Sequence, residues 1–162
     1  MLPRYISLAI FLLLVIVAST ISGMFHAGEW YHVIANKPSW TVPAWFYGPL
    51  WAVLYLLMAL AAWNVWLTGH FSRKGALIWW GFLLLLNIIW PMLIFGLERP
   101  GWAWLVLGVT IGAAALCIRA FRLLSRQSAY LMAPYMAWLV FAWVWNLAVW
   151  TMNGGLFSKV LL

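Results

Sequence analysis

The sequence predicts an all-α integral membrane protein, a bundle of five transmembrane helices with a long first loop acting as a lid. Three observations predict it. Of 162 residues, 68% are hydrophobic and 7% charged, with a mean hydropathy of +1.01, whereas soluble domains are about half apolar and about a quarter charged. The few charges leave apolar stretches long enough to cross a hydrocarbon core of about 30 Å, which takes roughly 20 residues of helix. These stretches run apolar continuously, unlike the alternating strands of a membrane barrel. The same hydrophobicity excludes a disordered chain.

Charge-free stretches mark the spans, because hydrocarbon does not tolerate unpaired backbone groups and so admits helices rather than loops. They run from Tyr5 to Phe25, Pro38 to Ser72, Gly75 to Leu97, Pro100 to Ile118 and Gln127 to Ser158, the second holding a loop as well as a helix. Helices are therefore expected near residues 4–25, 44–68, 75–97, 101–124 and 129–152, in a single membrane domain of residues 1–162. The first stretch follows Arg4 as a signal peptide would, but it is long for such a segment and no A-x-A site follows Ser19 to Gly23. It reads as a retained helix. Three connections are short and make sequential helices antiparallel neighbours; the exception is residues 26–43, rich in Trp, His and Pro.

With five spans the termini lie on opposite sides. The N-terminal side collects Arg4, Arg73, Lys74, Arg119, Arg122 and Arg126 without an acid, and the other has Lys37, Arg99 and Lys159 with Glu29 and Glu98. The positive-inside rule puts the N-terminus in the cytoplasm and the long loop outside. Cations this scattered build no nucleic-acid surface. Cys117 is the only cysteine, so there is neither a disulfide framework nor a cysteine metal site.

Fifteen tryptophans exceed what interfacial belts ordinarily use and point to a flat guest. Asn64, Asn87 and Asn146 lie inside spans, where an amide must pair across helices or face a cavity; both readings stand. In the fifth helix Trp138, Ala142, Trp145 and Val149 form one stripe with Asn146 at its edge, and in the second Trp51, Tyr55, Met58 and Ala62 do the same. Such stripes serve either packing or a pocket for a planar ligand, with Ala142 leaving the space. Pro91, interior to the third helix, predicts a kink beside Trp90, and Pro134 reads as a first-turn proline of the fifth.

Catalytic groups are nearly absent: Glu29 and Glu98 are the only acids, and no firm catalytic residue emerges. His26 and His32 fall in the long loop and His70 at the opposite face, so histidines alone make no three-ligand metal site. A loop histidine is either solvated or a ligand for haem iron. Lys37 and Arg99 are solvated helix ends or contacts for ligand carboxylates.

Glu29-Trp30-Tyr31, Lys37-Pro38-Ser39-Trp40-Thr41-Val42-Pro43-Ala44-Trp45 and Gly48-Pro49-Leu50-Trp51-Ala52-Val53-Leu54-Tyr55 form one block. Leu86-Asn87-Ile88-Ile89-Trp90-Pro91 with Phe95-Gly96, and Pro134-Tyr135-Met136-Ala137-Trp138-Leu139-Val140-Phe141 with Asn146, form two more. Together, over residues 28–150, they resemble a bacterial-type member of the translocator protein family, also called the tryptophan-rich sensory protein or peripheral-type benzodiazepine receptor family. The resemblance implies a five-helix bundle, often a homodimer, whose cavity opens toward the first loop. Trp30, Tyr31, Lys37, Pro43 and Trp45 then belong to the lid. Family ligands are porphyrins and haem, cholesterol in animal members, and synthetic isoquinoline carboxamides and benzodiazepines. By motif position Trp51 and Trp138 correspond to tryptophans linked to porphyrin binding and its light-dependent breakdown, and Asn87, Trp90, Trp102, Ala142 and Asn146 to other cavity positions.

Met92 stands where the family has a second proline after Trp90, and Val42 replaces the first of a proline pair. The cholesterol motif of animal members ends in an aromatic and a basic residue, where this chain has Leu147 and Thr151. The expected function is binding, with transport or sensing, of tetrapyrroles and related hydrophobic ligands, which need no further cofactor. Trp51 and Trp138 would stack the macrocycle, Asn87 or Asn146 would hydrogen-bond it, and Trp90, Trp102, Ala142 and Trp145 would complete the site. The alternative is a light-dependent porphyrin-degrading enzyme that oxidises a cavity tryptophan.

Overall fold

The computed structural model describes residues 3–154, so Lys159 and the end of the last charge-free stretch lie outside the described residues. Five helices form: α1 (Arg4–Gly23), α2 (Ala44–Leu67), α3 (Arg73–Pro91), α4 (Pro100–Leu124) and α5 (Arg126–Met152). Each is long and apolar enough to cross a membrane. The chain is a multi-pass integral membrane protein.

Two helix starts fall earlier than the sequence expectation by two or three residues. Helix α3 starts at Arg73 and α5 at Arg126, because basic side chains at a helix end can lay their stems along the apolar surface and keep the charge in water. A charge therefore marks the edge of the membrane without ending the helix. Ser125 alone separates α4 from α5, in extended backbone, and its hydroxyl accepts from Ser128 N at 3.2 Å as the cap of α5. Pro134 consequently sits in the interior of α5 and is not a first-turn proline.

At Pro91 the structure changes winding. Helix α3 passes there into a π-helical turn, Met92–Gly96, the kind of local rewinding that accompanies a proline. Proline has no N–H to donate four residues back. The carbonyl freed is that of Asn87, and Ser22 Oγ on α1 donates to it at 3.3 Å.

The helices pack in the ring order α1, α2, α5, α4, α3, with α3 closing back onto α1, while α2 and α3 also touch across the middle. Ala59, Ala61 and Ala62 in α2 and Ala113 and Ala114 in α4 are buried, which lets backbones approach closely without large side chains between them. Gly101 makes the tightest fit: a Cβ there would lie 2.9 Å from the Trp150 ring. Of the Gly108 and Gly112 pair in α4, Gly108 faces Trp143 of the same chain and Gly112 is open.

The centre of the ring is polar and fully wired. Tyr135 Oη donates to Asn87 Oδ1 at 2.7 Å, Trp90 Nε1 to Asn146 Oδ1 at 3.0 Å, and Asn146 Nδ2 to Pro100 O at 2.8 Å. Asn87 and Asn146 are buried, whereas Asn64 is half-buried. Interhelical hydrogen bonds in membranes contribute about 0.6 kcal/mol on average and up to about 1.7. Asn146→Ala breaks two and strands the Trp90 indole N–H, so it should cost about 1–3 kcal/mol, read as earlier unfolding in a mixed-micelle SDS titration. Asn64→Ala should stay within about 0.5 kcal/mol of the unsubstituted protein; equal losses in the two variants would show that the central network carries no special weight.

Candidate ligand-binding site

Beside this filled centre lies a cavity of about 530 Å³ between α1, α2, α3 and the first loop. Its walls are aromatic: Phe25 and Tyr31 from the loop, Tyr47, Trp51 and Tyr55 from α2, and Trp90 and Phe95 from α3 and its π-turn. Trp51 and Tyr55 lie one turn apart with ring centroids at 5.4 Å, and Phe95 meets Trp90 edge-on at 5.8 Å. Polar groups are few. Ser19 and Ser22 come from the last turns of α1, and His26 and His32 from the loop.

The loop is tied by hydrogen bonds to the far end of the chain. It carries a π-helical turn, Trp30–Ile34, that buries Tyr31 edge-on against Phe95 at 5.3 Å and beside Trp145 at 6.1 Å. Lys37 Nζ donates to the Tyr31 carbonyl and lies 4.5 Å from the centroid of the Tyr31 ring, so its charge is engaged within the loop. Burial pushes the Tyr31 phenol up from its ordinary value, with the Tyr47 hydroxyl pulling the other way. Asn153, just past α5, accepts from Asn36 N at 2.9 Å and donates to Asn36 O at 2.8 Å. Trp145 Nε1 donates to Thr41 Oγ1 at 3.1 Å.

The residues singled out in the sequence are dispersed by the fold. Trp51, Trp90 and Tyr31 line this cavity. Asn87 and Asn146 spend their amides on the central network, and Trp145 on the loop. Trp138 stacks on Phe141 at 5.0 Å and meets Tyr47 edge-on at 5.9 Å, one ring behind the cavity wall. Ala142 is buried in helix packing, and Trp102 is 54% exposed on the outer surface of α4. Of the lid residues, Trp30 is half-buried, Pro43 caps α2, and Trp45 faces outward. Among the described residues no three His, Cys, Asp or Glu side chains gather as a metal site.

Several lining residues escaped the sequence reading. Ser19 and Ser22 stand three apart on one face of a largely apolar helix, a spacing that signals a polar stripe. Phe25 and Tyr47 carry no signal beyond being aromatic, and Phe95 enters the sequence reading only as part of a family-like block.

Residues 9–151 match the TspO/MBR family. The chain belongs to that family. It is 38% identical to the human translocator protein over 131 residues, covering 78% of this chain and 76% of that one. It is 30% identical to the protein CrtK of Rhodobacter capsulatus over 142 residues, 85% and 87% of the two chains. Tryptophan-rich protein TspO of Archaeoglobus fulgidus is 28% identical over 145 residues, 87% and 94%. The family match contains the loop, every residue lining the cavity and the central network, but ends before Asn153. In this TspO/MBR member the latch on Asn36 is thus carried by a residue beyond the matched span. Asn153→Ala removes both of its bonds to Asn36, and amide exchange at residues 34–37 should accelerate about five- to tenfold. Unchanged exchange would show that Tyr31 and Thr41 hold the loop without it.

Proposed function

We propose that the protein binds a planar hydrophobic ligand of the tetrapyrrole class in the cavity beneath the first loop. The observation that carries this reading is the cavity itself, a space of about 530 Å³ walled by six aromatic residues of the loop, α2 and α3 besides Phe25, under a loop that is hydrogen-bonded to Asn153. Ligand sites of this kind measure about 300–1,000 Å³, with apolar walls and a few placed polar groups. A macrocycle arriving from water and burying roughly 300 Å² gains about 7 kcal/mol before ordering costs. The relative named translocator protein supports a role in moving a ligand. By the positive-inside rule the cavity opens on the face away from the cytoplasm.

In this arrangement Trp51 is the stacking wall. Trp138 acts through Tyr47, which it supports from behind. Asn87 and Asn146 hold the helices that form the wall. If the ligand carries iron, His26 and His32 supply imidazoles at the mouth.

Titrating the detergent-purified protein with protoporphyrin in the dark, followed by tryptophan quenching, tests the reading. Saturable micromolar binding is expected, weakened about tenfold in Trp51→Ala and less in Trp138→Ala. Non-saturating quenching, equal in all three proteins, would indicate partition into detergent and end the tetrapyrrole assignment. Irradiating the same complex separates binding from breakdown: absorbance loss that stops in Trp51→Phe would favour the degrading enzyme.

A further inference from the structure

We propose that the mouth of the cavity reads acid groups: His26 and His32 donate hydrogen bonds to carboxylates on one edge of the ligand, which sits with its apolar edge innermost. This inference rests on the tetrapyrrole reading of the cavity and adds the orientation of the ligand and the chemistry its outer edge must carry.

The wall is divided by charge. Among the described residues, His26 and His32 are the only side chains lining the cavity that take up a positive charge. Lys37 and Arg99, the other described cations on the loop side, do not line it, and Lys37 is engaged with the Tyr31 carbonyl and ring. The two acids of that side, Glu29 and Glu98, do not line it either. No carboxylate of the described wall therefore opposes one brought by a ligand. Apart from the imidazoles, the polar side chains of the wall are hydroxyls, those of Ser19, Ser22, Tyr31, Tyr47 and Tyr55.

Both imidazoles are available to a ligand. His26 follows the end of α1 by three residues, His32 belongs to the π-turn Trp30–Ile34, and both are exposed. Neither makes a hydrogen bond with another described residue, and His32 meets the Tyr31 ring edge-on at 5.3 Å. An imidazole donates an N–H to a carboxylate whether neutral or protonated, and adds a charge in the second case.

Depth separates the two ends of the wall. Ala44, at the start of α2 beside the loop, and Tyr55, eleven residues further along, both line the cavity, so the wall extends roughly 16 Å along the helix. Its inner part is built by Trp51, Tyr55 and Trp90 and holds no cation. A carboxylate placed there would be a buried charge without a partner, whereas at the mouth it meets imidazole and water. A porphyrin with both acid chains on one edge and hydrocarbon on the opposite edge matches this division in one orientation. A porphyrin with acids on every edge has to put some of them at depth.

The test compares metal-free protoporphyrin IX with its dimethyl ester, so that iron ligation plays no part. The quantity read is the ratio of the Kd of the ester to that of the diacid, in which loss of the protein's general affinity cancels. That ratio should fall about threefold in His26→Ala or His32→Ala and about tenfold in the double variant, and His26→Lys, which restores a charged donor, should keep it. A ratio unchanged in the double variant, with saturable binding of both porphyrins, would overturn the proposal and leave the tetrapyrrole reading intact. So would equal weakening of both ligands, which would show that the loop had lost its shape and not a carboxylate contact. Uroporphyrin, with acids on all four edges, should not displace bound protoporphyrin; displacement at equal concentration would overturn the orientation. Failure of the unsubstituted protein to bind either protoporphyrin form saturably would overturn the tetrapyrrole reading and this inference with it.

Discussion

A polar group inside a bilayer has no water to fall back on, and the bundle is organised around meeting that demand at α3. Pro91 removes a backbone donor, and the carbonyl it frees on Asn87 draws Ser22 of α1 to it. The Asn87 side chain takes the Tyr135 hydroxyl from α5. One turn on, Trp90 donates to Asn146, which bonds the first residue of α4 in turn. At the other end of the helix Trp80 Nε1 donates to Met58 O of α2 at 3.0 Å. Helix α3 is thereby tied directly to α1, α2 and α5, and through Asn146 of α5 to α4. Apolar contact alone does not select such an order in a membrane, because lipid chains are as apolar as leucine.

The same economy decides where space is left. Between α3, α4 and α5 the hydrogen-bonded side chains of Asn87, Trp90, Tyr135 and Asn146 occupy the interior. On the α1 and α2 side the walls are mostly aromatic rings, with Ser19, Ser22, His26 and His32 among them, and a cavity is left there. The loop over it buries Tyr31 between Phe95 and Trp145, and its backbone is paired with Asn153. Opening the cavity therefore means breaking contacts to α5, which couples the mouth to a helix that does not itself line the space.

Much of this was legible in the sequence, and the limits have physical causes. Charge-free length located all five helices, since span length is set by the bilayer and not by tertiary contacts. It misplaced the starts of α3 and α5, where Arg73 and Arg126 begin helices that were expected to start beyond them. The asparagines could be read as interior because their cost in hydrocarbon is intrinsic to the residue. Their partners could not, because a 3.6-residue period shows which residues share a face and not which helix that face meets. The ring order places α5 between α2 and α4, so the Trp138 stripe meets Tyr47 and Phe141 and not the cavity directly. The π-turn at residues 30–34 and the Asn36 latch depend on Trp145 and Asn153, more than a hundred residues away, and nothing local announces them.

A cavity embedded in lipid faces a selection problem that one in water does not. An apolar guest gains little by leaving the acyl chains for an apolar pocket, because both surroundings are equally free of water. Discrimination must come from what lipid tails lack, namely rigid aromatic faces and fixed polar atoms. The rings of Trp51, Trp90 and Phe95 supply the first, favouring a flat, polarisable guest over a flexible chain. The second is scarce here: Ser22 donates to the Asn87 carbonyl, and besides the phenols only Ser19, His26 and His32 add polar side chains to the wall. In such a setting a single fixed polar group weighs more on the choice of ligand than a further aromatic wall would, since the walls reject chains but accept any planar molecule of the right width.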